Sequence, residues 1–349
     1  MRATVIHGSH DIRLQDVPDP VIQRPTDAVV RVVASCVCGS DLWSYRGVRE
    51  VKEPARIGHE FVGVVEEVGT EVRTLRPGQF VIAPFTISDG TCVHCRHGVQ
   101  TSCERVGWWG APDFEGLRSD AGQGEYVRVP LADGTLVATP EAPDDALVPA
   151  LLALSDVMGT GHHAARAAGV RPGATVVVVG DGAVGLCGVL AARRLGAERV
   201  VAMSRNPERQ AIARRFGASD IVAARGAEGV AEVKELLGGL GADAVLEAVG
   251  TKESMQQALD SARPGGTVGF VGVPAGGPEL PVQQMFSTNV GVRGGVAPVR
   301  AYLPELLADV WAGTLDPSPV FDLTLPLAQV AQAYDAMDTR RAVKVLLRP

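Results

Sequence analysis

The chain lacks any apolar run long enough to span a bilayer, and its opening residues, MRATVIHGSHDIRLQ, contain no stretch of the signal-peptide kind. Both absences point to a cytoplasmic protein with no membrane partner. Also absent is any block of basic residues: 33 Lys and Arg are interspersed among 40 Asp and Glu, for a net charge of −7. Nucleic acids and anionic membranes select clustered positive charge, so neither is expected as a partner. No internal repeat or low-complexity segment appears. What is present is the balance of a globular protein, 46% hydrophobic and 21% charged, over 349 residues, enough for two domains with separate cores.

Two patterns follow one another along the chain. The first third is a series of short Val-rich runs, TDAVVRVVASCV and EFVGVVEEVG, with RPGQFVIAP after a Pro-Gly turn; these read as strands. Residues 85–125 lose apolar periodicity and carry Gly, Asp and Cys instead. So long a loop needs something to pin it or a site to serve. From Ala174 the rhythm changes to strand–helix alternation: ATVVVVG, AVGLCGVLAARRLGA, RVVAMS, PERQAIARRFGA, DIV and VAEVKELLGGL, then the strands ADAVLEAVG, TVGFVG and GVRGGVA. That spacing predicts βαβ units and a doubly wound parallel sheet. The expected fold is α/β: a β-rich domain over 1–157 and 298–349, interrupted by a Rossmann domain over 158–297. The edge strand GVRGGVA would need cover, which predicts a homodimer or a tetramer built from dimers.

The segment Gly180-Asp181-Gly182-Ala183-Val184-Gly185 is G-x-G-x-x-G between a predicted strand and helix. Such a turn lets a pyrophosphate approach the backbone and rest on the helix N-terminus. An NAD site usually places an acid about 20 residues on, at the end of the second strand. Here that position holds Ser204, then Arg205, and no carboxylate is expected nearby. A hydroxyl beside a guanidinium suits a 2′-phosphate, with Arg209 assisting from the next helix, so NADP(H) is expected over NAD(H).

Six cysteines are present, three of them clustered, and in a reducing compartment such clusters hold metal more often than they form disulfides. Cys92-x2-Cys95-x7-Cys103, with Asp89 preceding, offers three thiolates and a carboxylate for a structural zinc that would pin the loop. The competing reading is a lobe held by packing alone. Cys38, His59 and Glu60 are also suitable zinc ligands, although their spacing alone does not join them.

Taken in order, CGSD, GHEFVGVVEEVG, the cysteine lobe, GQGEYVRVP, LSDVMGTGHHAA, GDGAVG and RPGGTV resemble the medium-chain, zinc-dependent alcohol dehydrogenases over essentially the whole chain. The resemblance implies a GroES-like catalytic domain beside the Rossmann domain, and a hydride transfer between an alcohol of secondary or polyol type and the nicotinamide. It implies Cys38, His59 and Asp156 as catalytic zinc ligands, with Glu60 as an acid that approaches or replaces one. Asp156 also reads as an N-cap. Ser40 matches the hydroxyl that bonds the substrate oxygen, and Lys344 a basic residue near the cofactor pyrophosphate. Trp43, Phe85 and Trp108 are expected to line the substrate pocket, while Trp108 and Trp109 could instead pack into the loop. Trp43 stands where many relatives carry a proton-relay histidine. Two alternatives remain at this stage: a zinc-free enone or quinone reductase of the same superfamily, and a catalytically idle NADP-binding redox sensor.

Overall fold

In the computed structural model, which describes residues 1–274 and 279–349, the chain divides into two compact units. One comprises 1–156 with 298–349, the other 157–297.

The first unit is built on β-structure. Its longest strand, Ala28–Cys36, pairs antiparallel with Phe61–Val68, Tyr126–Val129 and the C-terminal strand Val345–Arg348. Alternation in AVVRVVASC turns Val30, Val32 and Ala34 to the interior and leaves Arg31 in solvent. One core gathers Val30, Phe61, Val81, Ile87, Val127 and Trp109. Another seats the helix Val330–Asp338 through Tyr334 and Met337 against Ile6, Val37 and Leu347. Fully burying such side chains contributes about 1.5–3 kcal/mol each before chain entropy is counted. The C-terminal return therefore completes this unit, carrying Lys344 into it beside Val37.

The second unit is the α/β sheet expected from the alternation. Six parallel strands run in the order Asp220–Val222, Arg199–Met203, Thr175–Val179, Ala242–Glu247, Ala262–Phe270 and Gly291–Gly294. TVVVV is almost wholly buried, as a strand covered on both faces requires. The helix Pro207–Arg215 starts on Asn206, whose side chain accepts from the Glu208 and Arg209 amides, with Pro207 at the first turn. Among the described residues, no helix is long and apolar enough to cross a membrane.

Candidate active site

Cys38 follows the long strand Ala28–Cys36 by two residues, and His59 and Glu60 immediately precede the neighbouring strand Phe61–Val68. Because Ser35 pairs with Phe61, the two segments leave the sheet side by side. Asp156 arrives from the far end of the unit, just before the helix Val157–Ala167. One donor atom from each of Cys38, His59, Glu60 and Asp156 lies within 4.8 Å of all the others. His59 Nε2 stands 3.5 Å from Asp156 Oδ2 and 3.9 Å from Glu60 Oε1, while Cys38 Sγ is 3.8 Å from Asp156 Oδ2. Thiolate, imidazole and carboxylate are zinc's ordinary donors. The buried Glu60 Oε2 has no hydrogen-bond partner, as an oxygen kept for a cation would have none. The residues fit zinc.

A surrounding shell fixes this set. His59 Nδ1 lies 3.3 Å from Asp41 Oδ1, the arrangement that sets the tautomer of a ligating imidazole. Asp41 Oδ2 in turn accepts from the Cys38 amide at 2.9 Å and from Gln123 Nε2 at 3.3 Å, and Gln123 Oε1 accepts from Tyr334 Oη at 3.0 Å. Sequence reasoning passed over Asp41, although it stands inside the quoted CGSD; what marks it is its proximity to His59, which only the fold creates.

Lys344 requires a correction. Its ammonium is fully buried and donates to Glu60 Oε1 at 2.6 Å and to the Val37 carbonyl at 3.2 Å, so it is committed to Glu60 and not available to a pyrophosphate. Burial alone would lower its pKa, but the Glu60 carboxylate to which it donates raises it well above the ordinary lysine value. Burial, with Glu60 adding to it, pushes the neighbouring Cys36 thiol well up and keeps it neutral.

The aromatic residues separate. Trp109 is buried, its indole donates to the Pro84 carbonyl, and it meets Phe61 edge-to-face. Trp108, 44% exposed, stacks on Phe85 at 6.2 Å, and Phe85 lies edge-on to His59 at 6.5 Å. Trp43 is half-buried on the short helix Asp41–Tyr45. Ser40 precedes that helix, is exposed, and its hydroxyl makes no capping bond.

The cysteine lobe closes on itself. Donor atoms of Asp89, Cys92, Cys95 and Cys103 again lie within 4.8 Å of one another. Backbone amides point at the sulfurs, from Asp89 and Arg105 to Cys103 and from Cys95 to Cys92, while Asp89 Oδ1 accepts from the Thr91 and Cys92 amides. Such amides stabilise thiolates, and the set fits a tetrahedral ion.

In the second unit, Gly180 adopts φ +120°, and a Cβ at Gly185 would lie 2.0 Å from the Gly180 carbonyl oxygen, so the turn closes only on glycine. A Cβ at Gly182, the N-cap of the helix Ala183–Arg194, would meet nothing within 4 Å; the space before that helix is open, as a pyrophosphate needs. Ala183 and Val184 form its first turn. At the ribose end a second correction arises: a carboxylate is present after all. Asp181 Oδ2 accepts from Ser204 Oγ at 2.9 Å, and its Oδ1 lies 3.3 Å from Arg209 Nη1. Asp181, Ser204 and Arg209 are all buried, whereas Arg205 is exposed and pairs with none of the described residues.

Comparison with known proteins decides the family. Residues 24–141 match the alcohol dehydrogenase GroES-like domain, and 183–311 match the zinc-binding dehydrogenase domain. Zinc-type alcohol dehydrogenase B of Aspergillus flavus is 33% identical over 355 residues, covering 100% of this chain and 81% of that protein. The chain belongs to the medium-chain zinc alcohol dehydrogenases. Alcohol dehydrogenase TADH from Thermus sp. ATN1 superposes with a TM-score of 0.91 at 35% identity, over 100% of this chain and 99% of that one. NADP-dependent isopropanol dehydrogenase of Clostridium beijerinckii is 33% identical over 290 residues, 81% of each chain. As a zinc alcohol dehydrogenase the protein is an alcohol oxidoreductase, and the family uses zinc and a nicotinamide cofactor.

Proposed function

We propose that the protein transfers a hydride between a secondary alcohol or polyol and NADP(H), yielding the ketone or aldehyde. The observation that carries this reading is the convergence of Cys38, His59 and Asp156 with Glu60 in one cluster. When bound there, zinc supplies Lewis acidity that lowers the pKa of the substrate hydroxyl. Asp41 holds His59 in orientation, and Lys344 balances the buried charge of Glu60. Ser40, exposed and making no capping bond, is the residue we assign to accept the hydrogen bond of the substrate hydroxyl, passing its own proton on to water as that hydroxyl ionises. Phe85 and Trp108 wall the approach to His59, and we assign the half-buried Trp43 to the same pocket. Gly180, Gly182, Ala183, Val184 and Gly185 hold the pyrophosphate, and the exposed Arg205 meets the 2′-phosphate. The Asp89, Cys92, Cys95 and Cys103 lobe holds a structural zinc.

The protein is proposed to act in the cytoplasm as a dimer or a tetramer built from dimers. Support comes from the second unit: Gly291–Gly294 is an edge strand, and the nearby helix Val282–Thr288 exposes Val282 and Phe286, the latter at 80%.

The test is reduced-nicotinamide formation across secondary alcohols, polyols and amino alcohols, each with NADP+ and NAD+. Turnover faster with NADP+, abolished in Asp156→Ala together with its bound zinc, is expected. Silence across the panel from a protein that holds no zinc but oxidises NADPH with enones or quinones would transfer the reading to a reductase, and cofactor binding without any turnover to a sensor.

A further inference from the structure

We propose that Asp181 and Arg209 together set the cofactor preference: Asp181 is the ribose-site acid, delivered from the fingerprint turn, and Arg209 masks its charge. This rests on the assignment of the second unit as a nicotinamide dinucleotide site.

Strands Thr175–Val179 and Arg199–Met203 are parallel neighbours, with Val179 opposite Met203. Residues that leave the two strands therefore emerge side by side, which brings Asp181 and Ser204 together although 23 positions separate them. The carboxylate thus occupies the neighbourhood where a dinucleotide fold normally tests the ribose 2′ position, by another backbone route.

The contacts assign roles. A serine hydroxyl has one hydrogen, and Ser204 Oγ lies 2.9 Å from the charged Asp181 Oδ2 against 3.4 Å from the Asn206 carbonyl, so the carboxylate is the stronger claimant on it. Toward a ligand it therefore offers lone pairs, which suit a ribose hydroxyl and repel a phosphate. A bare Asp181 would act in the same direction. Against both stands Arg209, whose Nη1 lies 3.3 Å from Asp181 Oδ1 and donates to the Asp181 carbonyl at 3.2 Å. All three residues are buried, so water screens the pair weakly. Arg209 is itself anchored, because its amide caps onto Asn206 at the start of the helix Pro207–Arg215. With Asp181 neutralised, the exposed Arg205 is the charge a 2′-phosphate meets.

The experiment measures equilibrium dissociation constants of NADPH and NADH by nicotinamide fluorescence, for the full chain and three variants. Arg209→Met unmasks Asp181 and is expected to weaken NADPH roughly tenfold or more while leaving NADH unchanged or tighter. Asp181→Asn, nearly isosteric, frees a guanidinium and is expected to move the ratio the other way. Arg209→Lys keeps the charge and is expected to stay near the parent ratio, which keeps the test decisive should Arg209→Met not fold. Equal loss of both ligands in Arg209→Met and Asp181→Asn, or an unmoved ratio, overturns the proposal. A parent protein that prefers NADH refutes the NADP(H) reading alone, since opposite shifts in the variants still support the pair. A parent that binds neither overturns both.

Discussion

At the scale of single residues, the site depends on groups that touch a ligand residue and would not touch a substrate. Asp41 is the clearest. Its carboxylate reaches His59 Nδ1, the Cys38 amide and Gln123, so one side chain aligns two donors of the cluster. Asp41→Asn keeps the shape but loses the charge that orients the imidazole. Zinc affinity is expected to fall 10–100-fold, read by competition with a chromogenic chelator. Unchanged affinity would mean that packing alone holds His59. Tyr334→Phe, one step further out, removes the hydroxyl that donates to Gln123 and is expected to cost about 0.5–1.5 kcal/mol in denaturant unfolding. Trp109 and Trp108 show how two identical neighbours divide: Trp109 finds a carbonyl for its N–H inside the core, and Trp108 stays outside as half of a stack.

At the scale of elements, two turns are decisive. The fingerprint turn cannot accept a side chain at its third glycine, because the Gly180 carbonyl stands in the place of the Cβ. Gly185→Ala is expected to destabilise the second unit by about 1–3 kcal/mol and to lose most dinucleotide affinity, seen as a lower melting point and failure to retain NADPH. The cysteine lobe is the other. Its segment has little apolar content of its own, and its ordering rests on amides aimed at sulfurs and on Asp89. Cys103→Ser, or selective chelation of the lobe, is expected to lower the melting temperature and to release one zinc per chain. A metal assay finding a single zinc in the parent protein would leave the lobe held by hydrogen bonds alone.

At the scale of the whole molecule, the consequential feature is the end of the parallel sheet, where Gly291–Gly294 stands last in the strand order of the described residues. Among the described residues Gly291–Gly294 pairs with one strand only, and Val282 and Phe286 are exposed on the helix Val282–Thr288 that precedes it in the chain. Sedimentation is expected to show a dimer or tetramer, and Phe286→Asp to shift it toward smaller species. A parent protein sedimenting as a monomer would refute that.

The sequence by itself determined the family and both classes of architecture, because the signals are local: short Val-rich runs such as AVVRVVASC, the continuous apolar run TVVVV, and a glycine-rich turn between strand and helix. It also carried the donor residues, since zinc demands particular atoms. Which atoms meet was decided only in three dimensions. Lys344 reads as a basic residue near the cofactor pyrophosphate until the C-terminal return carries it onto Glu60. Asp181 reads as a spacer in a glycine turn until parallel pairing sets it against Ser204. In both cases burial made the difference: a charge removed from water must find its counter-charge wherever the fold has placed one, at whatever distance along the chain.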